Sequence, residues 1–237
     1  MNEKKPLWPV ASLLVLTGFN LFDYLDRTIL ASVLPRVRED LGLTYQQGGS
    51  LTTAFMLGYF LTSPIFGYLG DRVPRRWLIT AGVAVWSLGT LLSGKAPGFG
   101  TLLAFRALVG FGEASFGTIS PSWIADLFPT ARRNNAITIF YFAIPVGSAI
   151  GYVLGGWIAV HYGWRAAFGF AGFAGLALAG ALLLLREPPR GASDRVAVAA
   201  HGTVVGWSVY RELARFPRYV LVVLGYTAQT FAMGGFQ

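Results

Sequence analysis

The sequence predicts an all-α integral membrane protein, a six-helix bundle followed by the start of a seventh helix. Three observations predict it. Apolar residues make up 54% of the 237 and charged residues 13%, about half the charge of an ordinary soluble domain. Leu41–Gly70, Trp77–Gly94, Asn134–Trp164, Ala166–Leu185 and Tyr219–Gln237 contain no Asp, Glu, Lys or Arg, each close to or above the roughly 20 residues a spanning helix needs. The mean hydropathy is +0.54, and a soluble chain this apolar would have to expose patches that soluble monomers avoid. Disorder is excluded by the same numbers. The absence of cysteine excludes disulfides and Cys-ligated metal.

Six spans are expected near 8–34, 46–69, 77–94, 98–128, 135–160 and 165–185. Backbone groups in hydrocarbon must pair within the segment, so each span should be helical. Domain bounds follow: 1–185 a six-helix transmembrane bundle, 186–218 a cytoplasmic linker, and 219–237 the beginning of a seventh span. The linker contains Pro188, Pro189 and Gly191 and a short amphipathic helix around Ser208–Phe216. A chain that stops inside an apolar segment is expected to be a truncated product, or a half that works with a second six-helix half or subunit.

The basic residues are asymmetric. With the N-terminus inside, thirteen of the 19 Lys and Arg fall on that side, beginning with Lys4 and Lys5. Arg36, Arg38, Lys95 and Arg165 fall on the other, and Arg27 and Arg106 within spans. Such a bias places the N-terminus in the cytoplasm of a multi-pass cell-membrane protein. It also accounts for the net charge of +8 through the anionic leaflet, with no call on nucleic acid. The first apolar run is longer than a signal-peptide core and is read as a retained helix.

Five ionisable residues lie inside predicted spans: Asp23, Asp26, Arg27, Arg106 and Glu113. Each would cost about 2.5–3.5 kcal/mol at a helix centre. They should therefore face the bundle and pair. Helical spacing places Asp23, Asp26 and Arg27 on one broad face. Arg106 and Glu113 lie two turns apart on another. Asp26 is expected to balance Arg106, and Arg27 to reach Glu113. Buried charges of this kind mark substrate and proton paths. A mid-span carboxylate that loses its cationic partner takes up a proton to escape desolvation. A faint echo, Asp26 before Pro35 and Glu113 before Pro121, fits two three-helix inverted repeats.

Gly67-Tyr-Leu-Gly-Asp71-Arg72-Val-Pro-Arg75-Arg76 resembles the G-x-L-A-D-R-x-G-R-K signature of the major facilitator superfamily, with Gly70 and Pro74 as departures. The resemblance implies a conformational latch made by Gly67, Asp71, Arg72, Arg75 and Arg76. Three further stretches are Asp23-Tyr-Leu-Asp26-Arg27, Arg106-Ala-Leu-Val-Gly110-Phe-Gly112-Glu113 and Ser120-Pro121-Ser-Trp-Ile-Ala-Asp126. With Arg186-Glu187-Pro-Pro-Arg190-Gly191 they resemble the Spinster branch, transporters of sphingolipid or lysophospholipid. That resemblance implies the N-terminal half of a twelve-helix fold working by alternating access. It makes Asp26 and Glu113 the proton-coupling residues, with Arg27, Arg106 and Asp23 as charge partners or head-group ligands. The hexuronate and organic-anion branch shares the Asp-Arg of helix one and the Glu-Ala of helix four. Gly147, Gly151 and Gly155 form a packing face on helix five; they resemble the antiporter signature, though Tyr152 stands where that signature has Pro.

Gly110-x-Gly112 follows no strand, so it is no dinucleotide fingerprint. His161 and His201 are too far apart for a metal pair, and no cofactor or metal is expected. No nucleophile–base pair points to an enzyme. The functional expectation is a proton-coupled secondary transporter of an amphipathic lipid. The alternatives are a proton-coupled transporter of small organic anions, such as hexuronates, and a non-transporting scaffold or orphan half. The expected partners are the bilayer, a lipid-like or small anionic substrate, and protons.

Overall fold

A computed structural model describes residues 8–193 and 208–234. Lys4, Lys5, Arg195 and His201, and the last three residues of the seventh segment, lie outside the described residues. The first of two units, Met1–Asp194, carries α1 (Trp8–Leu41), α2 (Tyr45–Gly70), α3 (Arg75–Ser93), α4 (Phe99–Leu127), α5 (Thr130–Tyr162) and α6 (Trp164–Leu182). The second unit contains α7 (Ser208–Leu213) and α8 (Pro217–Gly234). It presents the apolar side chains of Leu221, Val222 and Leu224 outward.

Local chemistry sets the boundaries. Gly42, at φ 63°, ends the first helix in a conformation that other residues rarely adopt. Thr44 then opens α2 with a capping box: the Gln47 amide donates to Thr44 Oγ1 at 3.1 Å, and the Thr44 amide donates to Gln47 Oε1 at 2.9 Å. Gly163, at φ 84°, breaks α5 from α6. α1 runs past the expected end and carries Pro35 within it. The buried Val33 and Val37 on either side hold the helix through the lost backbone bond.

Among the described residues five helices, α1, α3, α4, α5 and α6, are long and apolar enough to cross a membrane. α2 falls short of that apolarity, which the sequence did not anticipate. It has the length, 26 residues or about 39 Å, and no charge. Gln46, Gln47, Ser50, Thr52, Thr53, Thr62 and Ser63 dilute it. It is nonetheless part of the bundle, packed along α4.

The packing is paired: α1 runs along α5, α2 along α4, and α3 between α4 and α6. Shifting each helix number by three turns the α1–α5 pair into α4–α2, which is the relation two three-helix repeats require. Glycines make both seams. A Cβ at Gly147 would fall against the Leu21 carbonyl of α1, and one at Gly110 against the Phe55 carbonyl of α2. The Asn20 amide donates to the Phe140 carbonyl at 2.7 Å, and Thr28 Oγ1 lies 3.3 Å from the Ser148 carbonyl.

Two apolar clusters fill the bundle. One, around Leu16, Trp86, Phe116, Trp123 and Phe140, lies toward the end where α3 begins. The other, around Ile29, Val33, Leu102 and Phe168, lies toward the opposite end. Trp77 is exposed, whereas Trp164 is buried and donates Nε1–H to Asp40 at 3.1 Å. Phe140 packs its ring against those of Phe116 and Tyr141.

Candidate functional site: two linked charge centres in the bundle

Asp23, Asp26, Arg106 and Glu113 are all at least 96% buried, and they lie where the two apolar clusters meet. Desolvating each ion costs several kcal/mol, so their partners decide whether the bundle tolerates them.

The first centre joins α1 to α4. Arg27 donates from Nη2 at 2.6 Å and from Nε at 3.1 Å to the same oxygen, Oε2 of Glu113. Its Nη2 also lies 3.4 Å from Asp23 Oδ2. Three rings surround the guanidinium: Tyr24 at 4.6 Å, Phe55 at 4.9 Å and Tyr59 at 5.6 Å from their centroids. Cations over ring faces gain electrostatically, more so when desolvated. The pairing of Arg27 with Glu113 is the one the helix spacing predicts.

In the second centre Asp26 and Arg106 face each other as the expected charge pair, but through an intermediary. Asp26 does not bond Arg106 directly. Thr90 of α3 stands between them, donating to Asp26 Oδ2 at 2.7 Å and accepting from Arg106 Nη2 at 3.4 Å. Arg106 also reaches Ser93 Oγ at 3.5 Å and the Phe168 ring at 5.4 Å. Asp26 Oδ1 and Arg106 Nε are buried with no hydrogen-bond partner among the described residues, and the carboxyl groups of Asp23 and Glu113 lie against each other. Sequence reading missed Thr90 and Ser93, because a hydroxyl in an apolar helix carries no signal of its partner.

The residues of the latch motif fold into a clasp at the end where α3 begins. Arg75, 4% exposed, pairs with Asp126 of α4 at 2.5 Å. Asp126 uses its other oxygen to accept from the Gly191 amide at 2.9 Å, and Gly191 sits at φ 69°. Arg190 donates to the Gly70 carbonyl at 3.0 Å and the Val73 carbonyl at 2.8 Å. Gly67 is half-buried in the last turn of α2. Asp71 caps that helix while exposed, and Arg72 lies over the Tyr68 ring at 3.5 Å. Asp126, Glu187 and Arg190 are the partners that the motif alone did not name. The visible hint was acidic residues at helix ends facing the basic loop.

Pro74 leaves the α3 N-terminus without a side-chain cap, and Glu187 supplies one from afar. Its carboxylate accepts from the Arg75 amide at 3.0 Å and the Arg76 amide at 3.3 Å. Helix N-termini favour a negative group. Glu187→Ala is expected to lower stability by about 1–2 kcal/mol, read as a fall in thermal midpoint, with Glu187→Gln recovering part of the loss. Equal midpoints for Glu187→Ala and the parent would contradict the capping role.

A cavity of about 380 Å³ lies away from both centres, lined by Leu154, Trp157, Ile158 and Tyr162 of α5 and Ala166 and Phe170 of α6. No group of His, Asp and Glu suited to a metal ion occurs among the described residues.

A family model for the Major Facilitator Superfamily matches residues 16–237. The chain belongs to that superfamily. Within it the chain is Spinster-like. It is 43% identical over 228 residues to human protein spinster homolog 1, covering 93% of this chain and 43% of that protein. To Drosophila melanogaster protein spinster it is 40% identical over 225 residues, covering 93% and 36%. The chain thus spans less than half the length of these curated relatives. Among solved structures, a bacterial homologue of the human lysosomal transporter Spinster, inward-facing and unoccupied, superposes with a TM-score of 0.77 at 30% identity. That match covers 90% of this chain and 50% of the other. A D-xylose–proton symporter, at 19% identity and TM-score 0.67, shares the fold. The six helices are therefore the N-terminal bundle of a major facilitator fold in a multi-pass membrane protein.

Proposed function

We propose that this chain is half of a proton-coupled secondary transporter that moves an amphipathic lipid, of lysophospholipid or sphingolipid type, by alternating access. The observation that carries the reading is the Arg27–Glu113 pair. Glu113 is 1% exposed, is held by Arg27 at 2.6 Å through one oxygen, and lies against the carboxyl group of Asp23. A buried acid with one removable cation alternates between a paired, ionised form and a separated, protonated form, and that exchange is what coupling requires. Asp26 is the second proton carrier. Arg27, Arg106 and Asp23 serve as charge partners or head-group ligands. The clasp of Arg75, Asp126, Glu187 and Arg190 acts with Gly67, Asp71, Arg72 and Arg76 as the latch that conformational switching opens.

The wider reading follows from the same features. A second six-helix half completes the cavity, with 186–218 as the linker between halves and 219–237 opening the next span. The basic bias of one end supports an N-terminus in the cytoplasm of the cell membrane. The exposed apolar side chains of Phe60 and Leu61 on α2 and Phe142 and Val153 on α5 support lateral entry of a lipid. A scaffold gains nothing from four buried ionisable groups.

The organic-anion reading rests on Arg106, a buried guanidinium bonded to hydroxyls at 3.4 and 3.5 Å and tied to Asp26 through Thr90 rather than by a direct ion pair. Thermal-shift measurements on the full-length polypeptide separate the two readings. A single-chain lysolipid or sphingoid base is expected to raise the unfolding midpoint, and hexuronates to leave it unchanged. The reverse ranking would replace the lipid with an anion.

A further inference from the structure

We infer that Thr90 is a positioning residue of the coupling apparatus: its hydroxyl links Arg106 to Asp26, commits Oδ2 of Asp26 to a hydrogen bond, and leaves Oδ1 as the oxygen that receives the proton. The inference rests on the proton-coupled reading above and assigns a role within it.

The direction of the link follows from the groups. Arginine donates and does not accept, and a hydroxyl has one donor and two lone pairs. Arg106 Nη2 therefore meets a lone pair of Thr90 Oγ1, at 3.4 Å, and the Thr90 proton goes to Asp26 Oδ2, at 2.7 Å. Three helices contribute one group each, and Thr90 is fully buried.

The use of this hydroxyl sets it apart from its neighbours. Thr80 and Ser93 of the same helix donate to their own helix, at the Arg76 and Gly89 carbonyls, both at 2.8 Å. Thr28, Thr62 and Thr138 do likewise on other helices. That back-bonding is the ordinary fate of a helical hydroxyl. Thr90 instead spends its proton on a carboxylate of another helix.

The link also distinguishes the two oxygens of Asp26. Oδ2 accepts from Thr90 whether Asp26 is ionised or is an acid protonated on Oδ1. Oδ1 is buried and has no hydrogen-bond partner among the described residues. A proton thus adds to Oδ1 without breaking the bond to Thr90, and the tie between α1, α3 and α4 survives both forms. The charged groups around Asp26 are Asp23 and Arg27 on α1 and Arg106 and Glu113 on α4; α3 presents the Thr90 and Ser93 hydroxyls.

The test uses the full-length polypeptide in proteoliposomes, comparing Thr90→Val, which keeps the shape, with Thr90→Ser, which keeps the hydroxyl. Ser87→Ala is the control, since Ser87 is a buried hydroxyl one turn away with no partner. The readouts are transport driven by a pH gradient and the infrared carboxyl band of Asp26, assigned by its loss in Asp26→Asn. Thr90→Val is expected to lower gradient-driven transport about tenfold or more, the scale of one charge-assisted hydrogen bond, and to move the band. Thr90→Ser should restore both, and Ser87→Ala should change neither. Should Thr90→Val fail to fold, Thr90→Ala against Thr90→Ser makes the same comparison. Wild-type transport and an unmoved band in the hydroxyl-free variant would overturn the role of Thr90, even with Asp26→Asn inactive. Wild-type coupling in Asp26→Asn would instead overturn the coupling role of Asp26, and the inference with it.

Discussion

Glu113→Gln in the full-length polypeptide is expected to abolish substrate accumulation driven by a pH gradient, while leaving folding and substrate binding intact. Glutamine has the shape of the protonated acid and still offers an oxygen to Arg27, whose Nε and Nη2 lie 3.1 and 2.6 Å from Glu113 Oε2. Removing the charge without the side chain avoids a cavity and leaves Arg27 its contact with Asp23 at 3.4 Å and its three aromatic rings. Position 113 then stays neutral in every conformation, so no proton is exchanged there and a gradient does no work through it. Substrate exchange without a gradient needs no proton and should persist. Proteoliposome uptake with and without an imposed pH step separates the two activities. A response to the step equal to that of wild type would reduce Glu113 to a structural partner of Arg27. Loss of both activities together with a lowered thermal midpoint would mean that the pair holds the bundle rather than couples it.

Charge and its absence made much of this arrangement legible in the sequence. Uncharged runs marked the helices, and Asp23, Asp26, Arg27, Arg106 and Glu113 stood out because lipid should reject them. Helical spacing then predicted the contact of Arg27 with Glu113. The same reasoning stopped at Asp26 and Arg106, where it paired opposite charges and overlooked Thr90, a residue as ordinary in sequence as Thr80. At the clasp, the motif grouped Asp71 with Arg75 by proximity along the chain. Folding instead brings Arg75 to Asp126, 51 residues away, and leaves Asp71 exposed as a helix cap. The stretch after α6 reads as linker by its prolines, yet Glu187, Arg190 and Gly191 dock on α2, α3 and α4 through hydrogen bonds that composition does not encode. In α2, polar residues scattered over a long uncharged run weaken its hydropathy without ending the helix, because packing along α4 supplies what apolarity lacks.

A valine at Gly151 should damage both the fold and the alignment of the charge network, because that glycine sets how closely α5 approaches α1. A Cβ there would fall against the Leu25 carbonyl and Thr28 Oγ1, and 2.7 Å from Leu25 Cα. The Leu25 obstacles are backbone atoms and have no rotamer to change. Gly147 and Gly155 meet α1 in the same way, at the Leu21 carbonyl and at Ser32 Oγ and Ile29, so the seam has no slack to absorb the displacement. Overpacking of this kind costs about 1–3 kcal/mol, occasionally more. For a chain of this size that is a fall of about 2–12 °C in thermal midpoint, with Gly151→Ala between valine and the parent. Leu25 adjoins Asp26 and lies two residues before Arg27. The same displacement therefore shifts both charge centres relative to α4, where Arg106 and Glu113 are fixed by the separate glycine seam to α2. Gly156, with open space at its Cβ position, is the matched control: Gly156→Val should leave the midpoint near that of the parent. Equal midpoints for the two valine variants would show that α1 and α5 separate without cost, and that the glycine spacing does not set the position of the buried charged residues.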